Sequence, residues 1–491
     1  MDTYNRQRRK FSQSFAGLLG LPLISLYSSP LRPESKLKFN LAEVHLQAAQ
    51  KAKELSAGKN IQLSILLPKG SAANVNPVAQ AFTQMTGITF NYIETPVDDI
   101  NTRMFLDAQT SQGNYDIALP ATFGIPDLAE AGAIVALDEY SNRYEPTDFQ
   151  QNSLYTIGDY YRGRHYGYQT DGDSYLMFYN RSLLHNISYK KAFADKYGYA
   201  LKVPETWEEL DAMIAHFHNP DKGIYGGTLF RTPAYMLWEW WIRFHAKGFF
   251  PLDENLTPQI NNDAGIAALE ELIQVTKFLS PYAQSNGLFD NWKEFGNGNI
   301  FCNIGWGGTQ KYLNGNNSAM KGNLEFGPTP GGIVGGSLLK TSYFNWGWNY
   351  TVAQHSMNKE IAYLFTLFAC SPTISTMAVA EQDGYFDPFR VEHYADRRIN
   401  ETYSAEFLAE HRNSMKNSIP DLYLNGQTHY YDALRHNIKE AFDGKLSPTK
   451  ALDDTAKVWR RLNFKLDKKI QLEQWLFLRK RYPIAIRDRL S

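Results

Sequence analysis

Apolar and polar positions alternate at period two through Ile61-Gln62-Leu63-Ser64-Ile65, which predicts a strand, and Pro68-Lys69-Gly70-Ser71 ends it. Val78, Phe82 and Met85 then recur at helical spacing up to Gly87. A second strand is predicted over Ile88–Ile93 and a third over Tyr115–Pro120, with another helical stretch between them. Strand–helix–strand succession at this spacing predicts a parallel sheet covered by helices on both faces, hence an α/β fold. Ahead of it, Glu43–Leu55 reads as a short peripheral helix.

The middle of the chain switches to helical periodicity. Thr206-Trp207-Glu208-Glu209 has the form of a capping box, followed by Trp207, Leu210, Ile214 and Phe217 on one face. Asp263 is placed as the cap of a further helix with the stripe Ile266, Leu269, Leu272, Ile273 and Leu279. Gly296–Asn299 and Gly307–Asn317 read as loops. Ile361–Cys370 is ten apolar-rich residues before Pro372, too short to span a bilayer and read as a buried helix.

Fifty Lys+Arg against 51 Asp+Glu argue against a generally basic nucleic-acid binder. The two cysteines, Cys302 and Cys370, rule out a disulfide scaffold and read as buried free thiols, with one disulfide as the alternative. Arg6, Arg8, Arg9 and Lys10 precede an apolar run from Phe15 to Tyr27, the pattern of an export signal, and Arg8-Arg9 followed by Phe11 resembles the twin-arginine type. The expected destination is the periplasm.

Several chemistries lack their signatures. There is no phosphate-binding loop, no Gly-x-Ser-x-Gly elbow and no His-Glu-x-x-His. His216 and His218 fall about 200° apart on a helix and cannot grip one metal ion. Tyr430-Tyr431 lies in a helical stretch without His or Glu partners suited to iron. No metal, cofactor or catalytic residue is expected. What the chain does offer is rings: 10 Trp, 30 Tyr and 29 Phe. Three short clusters combine them with hydrogen-bonding groups: Tyr166 to Tyr175 with Asp171 and Asp173, Trp306-Gly307-Gly308, and Asn345-Trp346-Gly347-Trp348-Asn349. A sugar stacks its C–H face on such rings while its hydroxyls seek carboxylates and amides.

Five segments, spread over residues 60 to 462, resemble the extracellular solute-binding proteins of ATP-driven importers, of the carbohydrate-binding kind related to maltose-binding protein. They are Tyr115-Asp116-Ile117-Ala118 through to Leu137-Asp138-Glu139-Tyr140; Tyr166-Gly167-Tyr168 through to Tyr179-Asn180; Val203-Pro204-Glu205-Thr206-Trp207-Glu208-Glu209-Leu210; Phe326-Gly327-Pro328-Thr329-Pro330-Gly331-Gly332; and Gly444 to Asp453. The resemblance implies a periplasmic-binding-protein type II fold, two discontinuous α/β lobes hinged around a ligand cleft. It implies an export signal over 1–30, a helical extension over 31–60, one lobe from 61–170 plus 340–378 and a second from 171–339 plus 379–462.

It also carries ligand-binding roles onto Asp171, Asp173, Tyr175, Trp238, Trp306, Trp346, Trp348, Asp383, Tyr385 and Arg390, and more weakly onto Phe123. The implied protein is a monomer without catalysis that passes a sugar, oligosaccharide or polyol to the permease subunits of an ABC importer. A polyamine, phosphate ester or iron in the same fold is the first alternative. A glycan-acting enzyme using Asp171 and Asp173 is the second, since two carboxylates two residues apart on a strand share a face. A basic extension over 463–491 departs from the family pattern. From Lys457 to Arg489 it holds eleven Lys/Arg against three Asp/Glu, and it reads as a tail packed on its own lobe, with a membrane or transporter contact as the alternative.

Overall fold

The computed structural model describes residues 38–491, so the expected export signal lies outside the described residues. Two mixed sheets form the centres of two α/β lobes. In the first, strands Thr89–Thr95, Gln62–Pro68, Ile117–Ala118, Asn349–Val352 and Tyr168–Gln169 lie side by side in that order. The first three are parallel, as the strand–helix–strand succession predicts. Asn349–Val352 comes back from the other lobe and enters antiparallel to both of its neighbours, so the sheet is mixed where a parallel one is expected.

In the second sheet the order is Leu324–Pro328, Ser174–Asn180, Ile300–Gly305 and Tyr225–Thr228, and Tyr343–Phe344 pairs with the start of Ser174–Asn180. The chain therefore passes between the sheets twice within a few residues, at Thr170–Asp173 and at Asn345–Trp348.

Local chemistry explains the helix boundaries. Thr206 Oγ1 accepts from Glu209 N at 3.2 Å while Glu209 Oε2 accepts from Thr206 N at 3.4 Å, closing the expected capping box. The next helix, Asp263–Val275, is capped one residue earlier than expected: Asn262 Oδ1 accepts from Gly265 N, and Asp263 is the first helical residue. The Gly-rich stretch expected as a loop forms a helix over Gly307–Leu313, because Thr309 Oγ1 accepts from Trp306 N and a carboxylate, Asp387 Oδ2, accepts from Gly307 N.

Lys359–Ala369 is buried from Ile361 onwards and bends by 74° into Pro372–Val379. Among the described residues no single helix is long and apolar enough to cross a membrane. Val44–Leu55 is not peripheral on every side, since Val44, Ala48, Ala49 and Ala52 are buried and the helix lies against Lys359–Ala369.

The helix Pro448–Lys465 runs through residue 462 and is followed by Lys468–Arg481 and Ile484–Arg487. Trp475 is fully buried and its Nε1 donates to Asp253 O at 2.8 Å. Arg489 donates to the carbonyls of Val334, Ser337 and Leu338. Trp475 and Tyr482 of this tail thus face protein, while Phe464 is exposed. Cys302 and Cys370 are separate buried thiols.

Candidate functional site

The two crossing segments run side by side and are hydrogen-bonded to each other. Thr170 N donates to Trp348 O at 2.9 Å, Asn345 N to Asp173 O at 3.0 Å and Gly347 N to Asp173 Oδ2 at 3.0 Å. This pairing sets Asp173, Trp346 and Trp348 on the floor of a narrow cleft. Trp306, Gly308, Leu288, Phe289 and Trp292 bound it from one side, and Val97, Tyr235 and Tyr385 complete the wall.

The rings hold one another in place. Tyr235 stacks on Trp346 at 6.2 Å between centroids, Trp346 tilts against Trp348 at 5.8 Å, and Trp306 packs on Tyr175 at 4.7 Å. Trp306 Nε1 donates to Asn345 O at 3.1 Å, which fixes its plane. Gly308 allows the close approach of the wall, because a Cβ there would sit 2.8 Å from that of Tyr385.

Polar groups in the cleft are few and specific. Asp173 is the one carboxylate, and burial together with the charge of Asp387 pushes its pKa well above the usual range. The indole N–H groups of Trp292 and Trp346 are buried and have no acceptor. A buried donor without a partner is costly, and native proteins rarely leave one so unless a ligand or water supplies the acceptor. The site therefore offers stacking faces, one carboxyl and two unpartnered indole N–H groups, a state that Trp207, Trp238 and Trp241 share outside the cleft.

Of the residues expected at the ligand, Asp173, Trp306, Trp346, Trp348 and Tyr385 line this cleft. Asp171 lies behind it, fully buried, with Oδ1 accepting from Asp387 N at 2.7 Å. Tyr175 is buried beneath Trp306, and Phe123 and Trp238 support Trp346 edge-on at 5.8 and 5.0 Å rather than lining the wall. Asp383 lines a polar cavity, with Asn316, Lys321 and Gln382, that adjoins the cleft at Trp292 and Gly308. Arg390 is turned away from both. Its guanidinium donates to Phe149 O and Ser153 Oγ and pairs with Glu392 at 3.5 Å, so it braces the 149–153 loop. Tyr430 and Tyr431 are core residues whose hydroxyls donate to Asn463 and Asp421, so neither is free for iron.

Residues 77–405 match the family described as bacterial extracellular solute-binding protein. The chain belongs to that family. Solved structures agree on the architecture of this solute-binding protein. A maltose-bound MalE3 of T. maritima aligns with a TM-score of 0.70 at 18% identity, over 82% of this chain and 100% of that one. A solute-binding protein of Agrobacterium radiobacter K84 in complex with ribitol gives 0.70 and 18%, over 82% and 98%. The GacH receptor of Streptomyces glaucescens gives 0.67 and 18%, over 82% and 98%. The solute-binding protein thus has the two-lobed type II fold.

The sequence reading misses Trp292, Phe289 and Tyr235. Phe289 and Trp292 belong to the helix Leu288–Gly296, whose apolar residues divide between two faces: Trp292 and Phe295 are buried, while Phe289 stays 45% exposed at the cleft. Large rings on the solvent side of an amphipathic helix were the available signal. Tyr235 stands one turn ahead of Trp238 on Pro233–His245 and reaches the cleft, while Trp238 stays behind it.

Proposed function

We propose that this protein captures a neutral polyhydroxylated solute, a sugar or polyol, between its lobes and delivers it chemically intact to the permease subunits of an ABC importer outside the cytoplasmic membrane. The reading rests on one observation above the rest: two orphan indole donors, Trp292 Nε1 and Trp346 Nε1, in a ring-lined cleft with the acceptor Asp173. A hydroxyl both donates and accepts, so one class of ligand satisfies both kinds of group while its C–H faces lie on the rings. The structurally similar proteins bound to maltose, ribitol and D-mannitol support the same class.

On this reading the lobes comprise 61–170 with 340–378 and 171–339 with 379–462, and they close around the solute by rotation at the paired crossings. The closed form docks on the permease as a monomer. No bond is broken. Asp171 sits behind Asp173 rather than across the cleft from it, which leaves no second carboxylate on the cleft to complete an acid/base pair.

A thermal-shift and calorimetry screen of the purified protein across sugars, polyols, amines and inorganic anions tests the proposal. Saturable stabilisation by at least one sugar or polyol is the expected result. Stabilisation by amines or anions alone, or turnover of any glycoside, overturns it.

A further inference from the structure

Behind the cleft floor the first crossing meets the chain returning from Pro372–Val379, and three aspartates converge there. Asp171, Asp173 and Asp387 each present a carboxylate oxygen, these oxygens lie within 4.8 Å of one another, and all three residues are buried. Known donors occupy part of the cluster. Asp387 N donates to Asp171 Oδ1, Gly347 N to Asp173 Oδ2, and Gly307 N and the Tyr403 hydroxyl to the two oxygens of Asp387. Asp171 Oδ2 remains: it belongs to a fully buried side chain and has no partner at all. The hydroxyl of Ser174, next along the chain from Asp173, is likewise buried and unpartnered.

The neighbouring cation does not satisfy these oxygens. Lys311 Nζ donates its three hydrogens to the carbonyls of Val379, Glu381 and Phe386. His411 approaches the same crossing, yet its Nε2 faces Gly172 O and its Nδ1 faces the Tyr394 hydroxyl. Burial and mutual repulsion push the carboxyls of Asp171 and Asp173 well above the usual range, and three such groups packed together without water require a compensating partner.

We propose that Asp171, Asp173 and Asp387 together hold one hard divalent cation of the calcium class, beside the hinge and directly behind the solute cleft. With the three carboxyls ionised on binding, the two charges of the ion and that of Lys311 balance them. All three donors are anionic oxygens, with no free imidazole or thiolate among them, which disfavours zinc and copper. Oxygens on opposite sides of one calcium ion stand about 5 Å apart, twice a bond of roughly 2.3–2.6 Å, so the cluster fits inside a single coordination sphere. Calcium accepts an irregular oxygen shell, whereas magnesium demands a strict octahedron and is on that ground the poorer match. Bound there, the ion ties the first crossing to the segment around Asp387, which in turn anchors the Gly307–Leu313 helix through Gly307 N. The site does not depend on which solute the cleft takes.

The test uses the exported chain stripped with a chelator and titrated with CaCl2 alone, read by thermal shift and by elemental analysis after gel filtration. The expected result is a saturable rise in Tm of several degrees with about one calcium per chain, larger than the response to MgCl2. Asp171→Asn and Asp387→Asn abolish it, while Asp383→Asn, at an exposed position outside the cluster, retains it. Should the cluster variants fail to fold, the stoichiometry on the wild-type chain still decides. Failure of CaCl2 to raise Tm, less than half an equivalent of bound metal, a response matched by NaCl at equal ionic strength, or an undiminished response in folded Asp171→Asn each overturns the proposal.

Discussion

Gly347 donates its backbone N–H to Asp173 Oδ2 at 3.0 Å, and through this bond one crossing segment holds the other in shape. The bond matters because Trp346 has φ +80° and Gly347 φ +64°, two successive residues in the left-handed region. For a tryptophan that conformation costs about 1–2 kcal/mol. The strain presents the Trp346 indole to the cleft, and Asp173 is both the anchor of the turn and the acceptor at its floor.

Asp173→Ala therefore removes two things at once. Loss of the hydrogen bond costs about 0.5–1.5 kcal/mol, so solute affinity falls roughly two- to tenfold. The freed Trp346 turn lowers thermal stability as well. Calorimetry with whichever sugar or polyol binds the wild type measures the first effect, and a melting curve the second. Unchanged affinity removes Asp173 from the site.

Trp292→Phe and Trp346→Phe keep a ring and delete the orphan N–H. In the unliganded protein each deletes an unsatisfied buried donor, so stability holds or rises slightly. With solute each loses one hydrogen bond, worth about 1 kcal/mol, and affinity falls roughly fivefold. This opposite movement of stability and affinity distinguishes a ligand donor from a structural indole. Trp238→Phe, whose ring lies behind Trp346, leaves affinity within about twofold.

The contrast among these residues shows what a sequence can carry. Asp171 and Asp173 are two apart on one crossing, and that much was readable. Which of them meets the cleft depends on Asp387 N, more than two hundred residues away, taking up an oxygen of Asp171. Arg390 sits in a stretch where ligand contact is expected, yet its direction is set by Phe149 O and Ser153 Oγ, and nothing local announces that. The capping box at Thr206 was legible because all its partners lie within four residues. The helix at Gly307 was not, because one of its caps is Asp387.

Glu239 is buried between two arginines: Arg231 Nη1 donates to Oε2 at 2.6 Å and Arg243 Nε to Oε1 at 2.9 Å. Its neighbours Trp238, Trp240 and Trp241 are buried around it. Glu239→Ala leaves two guanidiniums without their shared counter-charge, Arg243 retaining Asp211 at 2.7 Å and Glu271 at 3.7 Å. The expected loss is about 3–5 kcal/mol in urea denaturation. Glu239→Gln, which keeps the volume and one acceptor, loses less.

Trp475 tests the tail. It is fully buried, donates to Asp253 O, and packs edge-on against Phe250 at 6.0 Å. Trp475→Ala opens a cavity in the second lobe and costs about 3–5 kcal/mol of stability. A variant as stable as the wild type would mean the tail is not docked as described and would return it to the role of a free contact surface.

Glu145 supplies a pH dependence whose sign is fixed. Burial drives its pKa up to about 7 from an ordinary 4.5, against the opposing hydrogen bond from the Tyr168 hydroxyl. The nearest basic group, His165 Nδ1 at 4.0 Å, is itself held neutral by burial, with a pKa of about 4. Between about 4.5 and 7 the folded chain keeps a proton on Glu145 that the unfolded chain has released, so raising pH across that window favours unfolding. The stability from protonated Glu145 is complete below about 4.5 and gone above about 7. Glu145→Gln carries the same hydrogen-bonding shape at every pH and is immune to this loss. Relative to the variant, the wild type should therefore lose on the order of 2 kcal/mol as pH rises from 4.5 to 8. Because other titrating groups are common to both proteins, the difference between their denaturation midpoints isolates Glu145. A difference that stays flat across the window, or grows as pH falls, contradicts a buried protonated glutamate at this position.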